Sequence, residues 1–119
     1  MKRAALVLAL GASACGPKVA LSRVEKEVFT PSCAFATCHL GRSASGGLNL
    51  ESPTYAKLIN VDAGARPGMK LVVPGNPEAS WLYQKLVIQS AESMPPGAPL
   101  EAERIALVRD WIASGAPND

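Results

Sequence analysis

Proline and glycine punctuate this chain so closely that no regular element can run far. Ten of each fall among 119 residues, many of them in short groups such as Gly46-Gly47, Pro67-Gly68, Pro74-Gly75 and Pro95-Pro96-Gly97. Glycine favours turns, and proline withholds a backbone donor. What lies between these groups is therefore confined to short helices joined by loops. Two Phe, two Trp and two Tyr give only modest aromatic material for a core. A domain this small often needs a disulfide, a metal or a cofactor to complete one.

The beginning of the chain is not counted as fold. Lys2 and Arg3 precede an apolar run from Ala4 to Leu10, and Gly11, Ala12, Ser13 and Ala14 lead into Cys15. That order is the pattern of an export signal. The run is far shorter than the ~20 apolar residues that span a bilayer. Small residues directly before a cysteine resemble the lipobox of bacterial lipoproteins, where the cysteine is acylated and becomes the mature N-terminus. Ala12 departs from that motif, which usually carries Leu there. Ordinary cleavage after Ala14 is the competing reading, and it would leave an odd free thiol in an oxidising compartment. The expected organisation is a signal peptide over 1–14 with Cys15 acylated, a tether over 15–22 and one domain over 23–117. The expected location is the periplasm or cell envelope, with a lipid anchor in the membrane; without the anchor the protein is secreted. Loss of Lys2 and Arg3 cancels the formal +2 charge of the full chain. A neutral domain has no basic field for nucleic acid.

Four helices are expected. Ser22 is placed to cap one from about Arg23 to Phe29, carrying Val24 and Val28, and Thr30-Pro31-Ser32 should end it. Ser52-Pro53 reads as cap and first turn of a short helix with Tyr55, Leu58 and Ile59. After a brief extended run at Leu71-Val72-Val73, Asn76-Pro77 repeats that signal for a helix to about Ile88. Trp81, Leu82, Leu86 and Ile88 share one face of it, and Lys85 falls in the same arc, where its stem can lie on apolar surface while the ammonium reaches water. The last helix is expected from about Leu100 to Ser114, with Ile105, Val108, Trp111 and Ile112 as its stripe and Gly115 at its end. The fold class is all-α.

The chemistry is concentrated in residues 33 to 39, Cys-Ala-Phe-Ala-Thr-Cys-His. Attaching a c-type haem takes two thiols, which add across its two vinyl groups, and an imidazole that ligates the iron from one face. A histidine directly after the second cysteine supplies these from one turn, which is why C-x-x-C-H signals haem attachment. The spacing here is C-x4-C-H, and the extra residues are expected to bulge without moving Cys38 relative to His39. The alternative is a structural Cys33–Cys38 disulfide in a non-haem structural or interaction module. Under that reading the chain's single His follows a cysteine by accident. A zinc site is short of a fourth local ligand. Met94, in Ser-Met-Pro-Pro-Gly, occupies a proline-stiffened loop rather than a helix stripe, and is the expected sixth ligand to iron. Met69 is its competitor. A thioether opposite His raises the reduction potential and leaves no open site for substrate.

Taken in order, several segments resemble the cytochrome-c-like domains of the planctomycete type, also seen in short bacterial lipoproteins. They are Cys33 to His39, Gly47-Leu48-Asn49-Leu50, Val73-Pro74-Gly75-Asn76-Pro77-Glu78-Ala79-Ser80, Met94-Pro95-Pro96 and Asp110-Trp111-Ile112-Ala113-Ser114-Gly115-Ala116. The resemblance covers residues 24 to 117. It implies a cytochrome-c-like helical fold around one haem c, with Cys33 and Cys38 as covalent attachment points, His39 proximal and Met94 distal. It implies that Trp111 and Ile112 belong to a C-terminal helix packing near the N-terminal one, and that Trp81 and Tyr83 line the haem pocket or the plain core. The expected function is electron transfer with a redox partner protein. A haem enzyme fits less well, since the chain lacks a second His for acid–base work at iron.

Overall fold

A computed structural model describes residues 18–119. The expected signal over 1–14 and the acylated Cys15 lie outside the described residues. Within them the chain is helical and has no sheet; its extended contacts are three isolated bridges, Ile59 with Val72, Asp62 with Lys70 and Lys70 with Ser80. No helix among the described residues is long and apolar enough to cross a membrane.

The first helix, α1, starts as Leu21–Val24, widens to a π-helical segment over Glu25–Phe29 and ends at Thr30–Ser32. It therefore runs through Pro31, where the sequence predicts a stop. The wide turn explains the difference. Thr30 N–H bonds back to the Glu25 carbonyl, and the ladder restarts with Pro31 in the first turn of a new α segment, where a missing N–H costs least. Ser22 is not the cap. Asp119 fills that role from the other end of the chain, its Oδ1 accepting from Leu21 N at 3.1 Å and its carbonyl from Ser22 N at 2.9 Å. Val19 and Leu21, within the expected tether, are buried.

Helix α2 is a single turn, Tyr55–Leu58, with Thr54 rather than Ser52 at its N-cap position. Ser52 and Thr54 are engaged elsewhere: both hydroxyls donate to the Glu25 carboxylate, at 2.7 Å each, and Thr54 N donates to it at 2.8 Å. Burial works against the charge on Glu25, but these three bonds and the nearby Lys57 together hold its carboxyl below the usual range. The helix expected from Asn76 divides in two. Asn76 Oδ1 caps a 3-10 turn over Pro77–Ala79, and α3 then runs over Trp81–Val87. Between them the buried Ser80 hydroxyl accepts from Val73 N and donates to the Asn76 carbonyl, and this diverts the chain. Helix α4 covers Ala102–Ala113, and Gly115 follows it at φ 104°, the left-handed turn that glycine adopts without a Cβ penalty.

The core joins α1 to α4, as the resemblance implied. Val24, Val28 and Phe29 meet Val108, Trp111 and Ile112, all sealed from solvent, and Trp111 Nε1 donates to the Pro117 carbonyl at 3.0 Å. Leu82 and Leu86 extend this core from α3, which packs on α4. Residues 58–63 fold back along 69–73, with Asn60 N bonded to the Val72 carbonyl and Leu71 N to the Val61 carbonyl. Trp81 N and Leu82 N bond in turn to the carbonyls of Lys70 and Leu71, which fixes the start of α3 against that loop.

Candidate functional site

Residues 33 to 39 leave the end of α1 as a closed loop. The Phe29 carbonyl accepts from both Cys33 N and Ala34 N, which terminates the helix, and His39 N returns to the Cys33 carbonyl at 3.1 Å. Between these ends Phe35, Ala36 and Thr37 project outward, Phe35 with 48% of its surface exposed. The added residues of the wide spacing thus sit outside, and the ends stay together.

Cys33 and Cys38 are free thiols. The Cys33 thiol faces the Val28 carbonyl, with Sγ 3.8 Å from the oxygen. Burial, followed by the proximity of Cys38, pushes the Cys33 pKa up to about 11. His39 Nδ1 lies 3.0 Å from the Leu48 carbonyl. A carbonyl only accepts, so Nδ1 carries the proton and Nε2 of the neutral ring keeps its lone pair for a ligand. The same histidine's carbonyl accepts from Leu50 N at 2.8 Å, so segment 48–50 brackets it on two sides.

Cys33 and His39 open on a cavity of about 520 Å³, within the range that binds small molecules and cofactors. Cys33, His39 and Met94 all line it, with Leu48, Leu50, Leu71, Leu82 and Leu86 as apolar wall. A smaller hollow of about 130 Å³ shares Cys33, His39 and Met94 with it and adds Cys38, Pro95 and Pro96. Four candidate site residues are thereby brought together from two separate parts of the chain, 33–39 and the loop at Met94. Trp81 lines the larger cavity and Tyr83 does not; Tyr83 packs against the hydrophobic core instead. Met69 lines neither hollow.

Two cations that the sequence reading did not assign to a site, Lys57 and Lys85, also line the cavity. The one carboxylate on its wall, Asp62, is paired with Lys70. Nothing local in the sequence marks Lys57, which reaches the cavity because the turn of α2 faces it. Among the described residues no group of three or more His, Cys, Asp or Glu side chains is placed to hold a metal ion.

The donor set fits a haem. An imidazole with its Nδ1 already engaged and a thioether share one apolar hollow, and a thiol lies on the wall with another beside it. A family sequence profile described as Planctomycete cytochrome C matches residues 36–97. The chain belongs to that family. The match spans Cys38, His39 and Met94 and begins after Cys33, so the first thiol of the wide loop lies upstream of it. No curated protein and no solved structure matches the chain. Family membership makes this a cytochrome-like domain and carries haem c and an electron-carrier role as the family's character.

Proposed function

We propose that this planctomycete-type cytochrome domain is an exported mono-haem electron carrier. Cys33 and Cys38 hold the haem covalently, His39 is the proximal ligand and Met94 the distal one. The observation that carries the reading is the convergence of His39 and Met94 on one apolar cavity, with a thiol on its wall and a second beside it. In each attachment the thiol S–H adds across a vinyl double bond: sulfur bonds one carbon, hydrogen goes to the other, and no net electrons are exchanged.

When bound, the haem supplies a one-electron ferric/ferrous couple. The chain's own residues set its environment. The Leu48 carbonyl fixes the His39 tautomer and orients the ring. The Met94 thioether favours the reduced state and closes the sixth position, which suits transfer over catalysis. Leu50, Leu71 and Leu82 line the cavity and exclude water from it.

An acylated Cys15 tethers the domain at a membrane of the cell envelope, where it exchanges electrons with a redox partner protein. Ligation is tested by comparing ferric spectra of the haem-loaded wild type, Met94→Ala and Met69→Ala. Loss of the low-spin thioether spectrum in Met94→Ala alone supports the assignment. Its loss in Met69→Ala with Met94→Ala unchanged moves the ligand to Met69.

A further inference from the structure

The segment that carries Met94 is tied to the domain at one residue. Residues 89–97 contain local bonds, Glu92 N to Ser90 Oγ and Ser93 N to the Ser90 carbonyl. Among the described residues, the only hydrogen bonds that join this segment to the rest of the chain both involve Lys85. Its carbonyl accepts from Met94 N at 2.8 Å, and its Nζ donates to the Glu92 carbonyl at 2.8 Å. One residue of α3 thus grips the segment on both sides of Ser93.

The ammonium is held in place as well. Lys85 Nζ lies 5.4 Å from the centroid of the Trp81 ring, four residues earlier on α3, within cation–π range. Arg66 occupies the same ring at 5.2 Å, and Trp81 is 7% exposed. A lysine in an apolar arc, expected to send its head to water, spends that head on a solvent-exposed bond to the loop and lines the cavity beside Met94.

We infer that Lys85 is a positioning residue for the distal ligand, its side chain clamping the Met94 loop so that the thioether stays at the cavity. This rests on the reading of Met94 as a ligand. The backbone bond from Met94 N survives any substitution, whereas the bond to Glu92 and the contact with Trp81 need a long cationic side chain. The clamp therefore depends on side-chain chemistry and responds to mutation. Lys57 is the internal comparison: it lines the same cavity, but its Nζ donates to the Glu51 carbonyl and touches no part of the Met94 loop.

Imidazole is the probe, because it occupies ferric iron only when Met94 is off, so its apparent dissociation constant reports that population. The haem-loaded full chain is compared with Met94→Ala, Lys85→Leu, Lys85→Arg and Lys57→Leu. A charge-assisted hydrogen bond on the loop predicts that Lys85→Leu binds imidazole about ten-fold more tightly than wild type, with Lys85→Arg restored to within about two-fold and Lys57→Leu unchanged. Should Lys85→Leu not accumulate, Lys85→Gln, too short to reach the Glu92 carbonyl, carries the same expectation. Wild-type affinity in these variants, or equal tightening in Lys57→Leu, overturns the clamp. Haem-loaded Met94→Ala with wild-type imidazole affinity overturns the ligand reading beneath it.

Discussion

The carbonyl oxygen of Leu48 lies 3.0 Å from Nδ1 of His39, nine residues earlier, and so decides which ring nitrogen keeps its lone pair. Leu48 is delivered there by a turn in which Gly46 and Gly47 both take positive φ, 64° and 73°. A Cβ at Gly47 meets no neighbour within 4 Å, so the cost of replacing it is backbone strain alone. Gly47→Ala is expected to destabilise the domain by roughly 1–2 kcal/mol in urea unfolding. It should also lower the haem-loaded fraction, as the Leu48 carbonyl moves from the ring.

Glu25 gives the fold an acid-sensitive joint. Its folded pKa is depressed, so its contribution to stability is present above the ordinary value of 4.5 and is lost as pH falls through the lower folded value. Glu25→Gln is expected to cost about 1–2 kcal/mol at pH 7. The gap between variant and wild type should narrow steadily below pH 4.5. Denaturant titrations at pH 7, 5, 4 and 3 measure it.

Trp111 links α4 to the chain's end and has no exposed surface. Trp111→Ala should cost about 3–5 kcal/mol, a large share of a typical small domain's stability. Trp111→Phe keeps most of the apolar volume and leaves the Pro117 carbonyl without its donor. Its expected cost is about 1–2 kcal/mol, read as a smaller fall in the thermal midpoint.

The helical class, and the meeting of residues as distant as His39 and Met94, were legible because local signals carry them. Apolar spacing marks α3 and α4, and the heptapeptide and the proline-rich loop mark themselves. What the sequence hid was set by partners far along the chain. Ser52 looks like a helix cap because its neighbour is a proline, yet its hydroxyl goes to Glu25, 27 residues away. Asp119 caps a helix that starts at Leu21, a pairing no short window contains. Pro31 looks like a stop until the π-helical turn before it shifts the hydrogen-bond register. Trp81 and Tyr83 lie two apart on one short helix and so face differently, which decides that Trp81 alone lines the cavity.

Acylation of Cys15 would hold the domain at a membrane whether or not haem is bound. Cys15→Ser should move the protein from membrane fractions to the soluble fraction without changing its haem content. Fractionation of cells that express both forms measures this, and continued membrane association of the variant counts against acylation.

The intact mass of the full chain, exported from a host with cytochrome c maturation and measured after denaturation, decides whether Cys33 and Cys38 hold a haem. One haem retained covalently, with a pyridine haemochrome band, and lost on Cys33→Ser, Cys38→Ser double substitution, is the predicted result. A mass without haem, two hydrogens lighter for a Cys33–Cys38 disulfide, and no haemochrome band would contradict it.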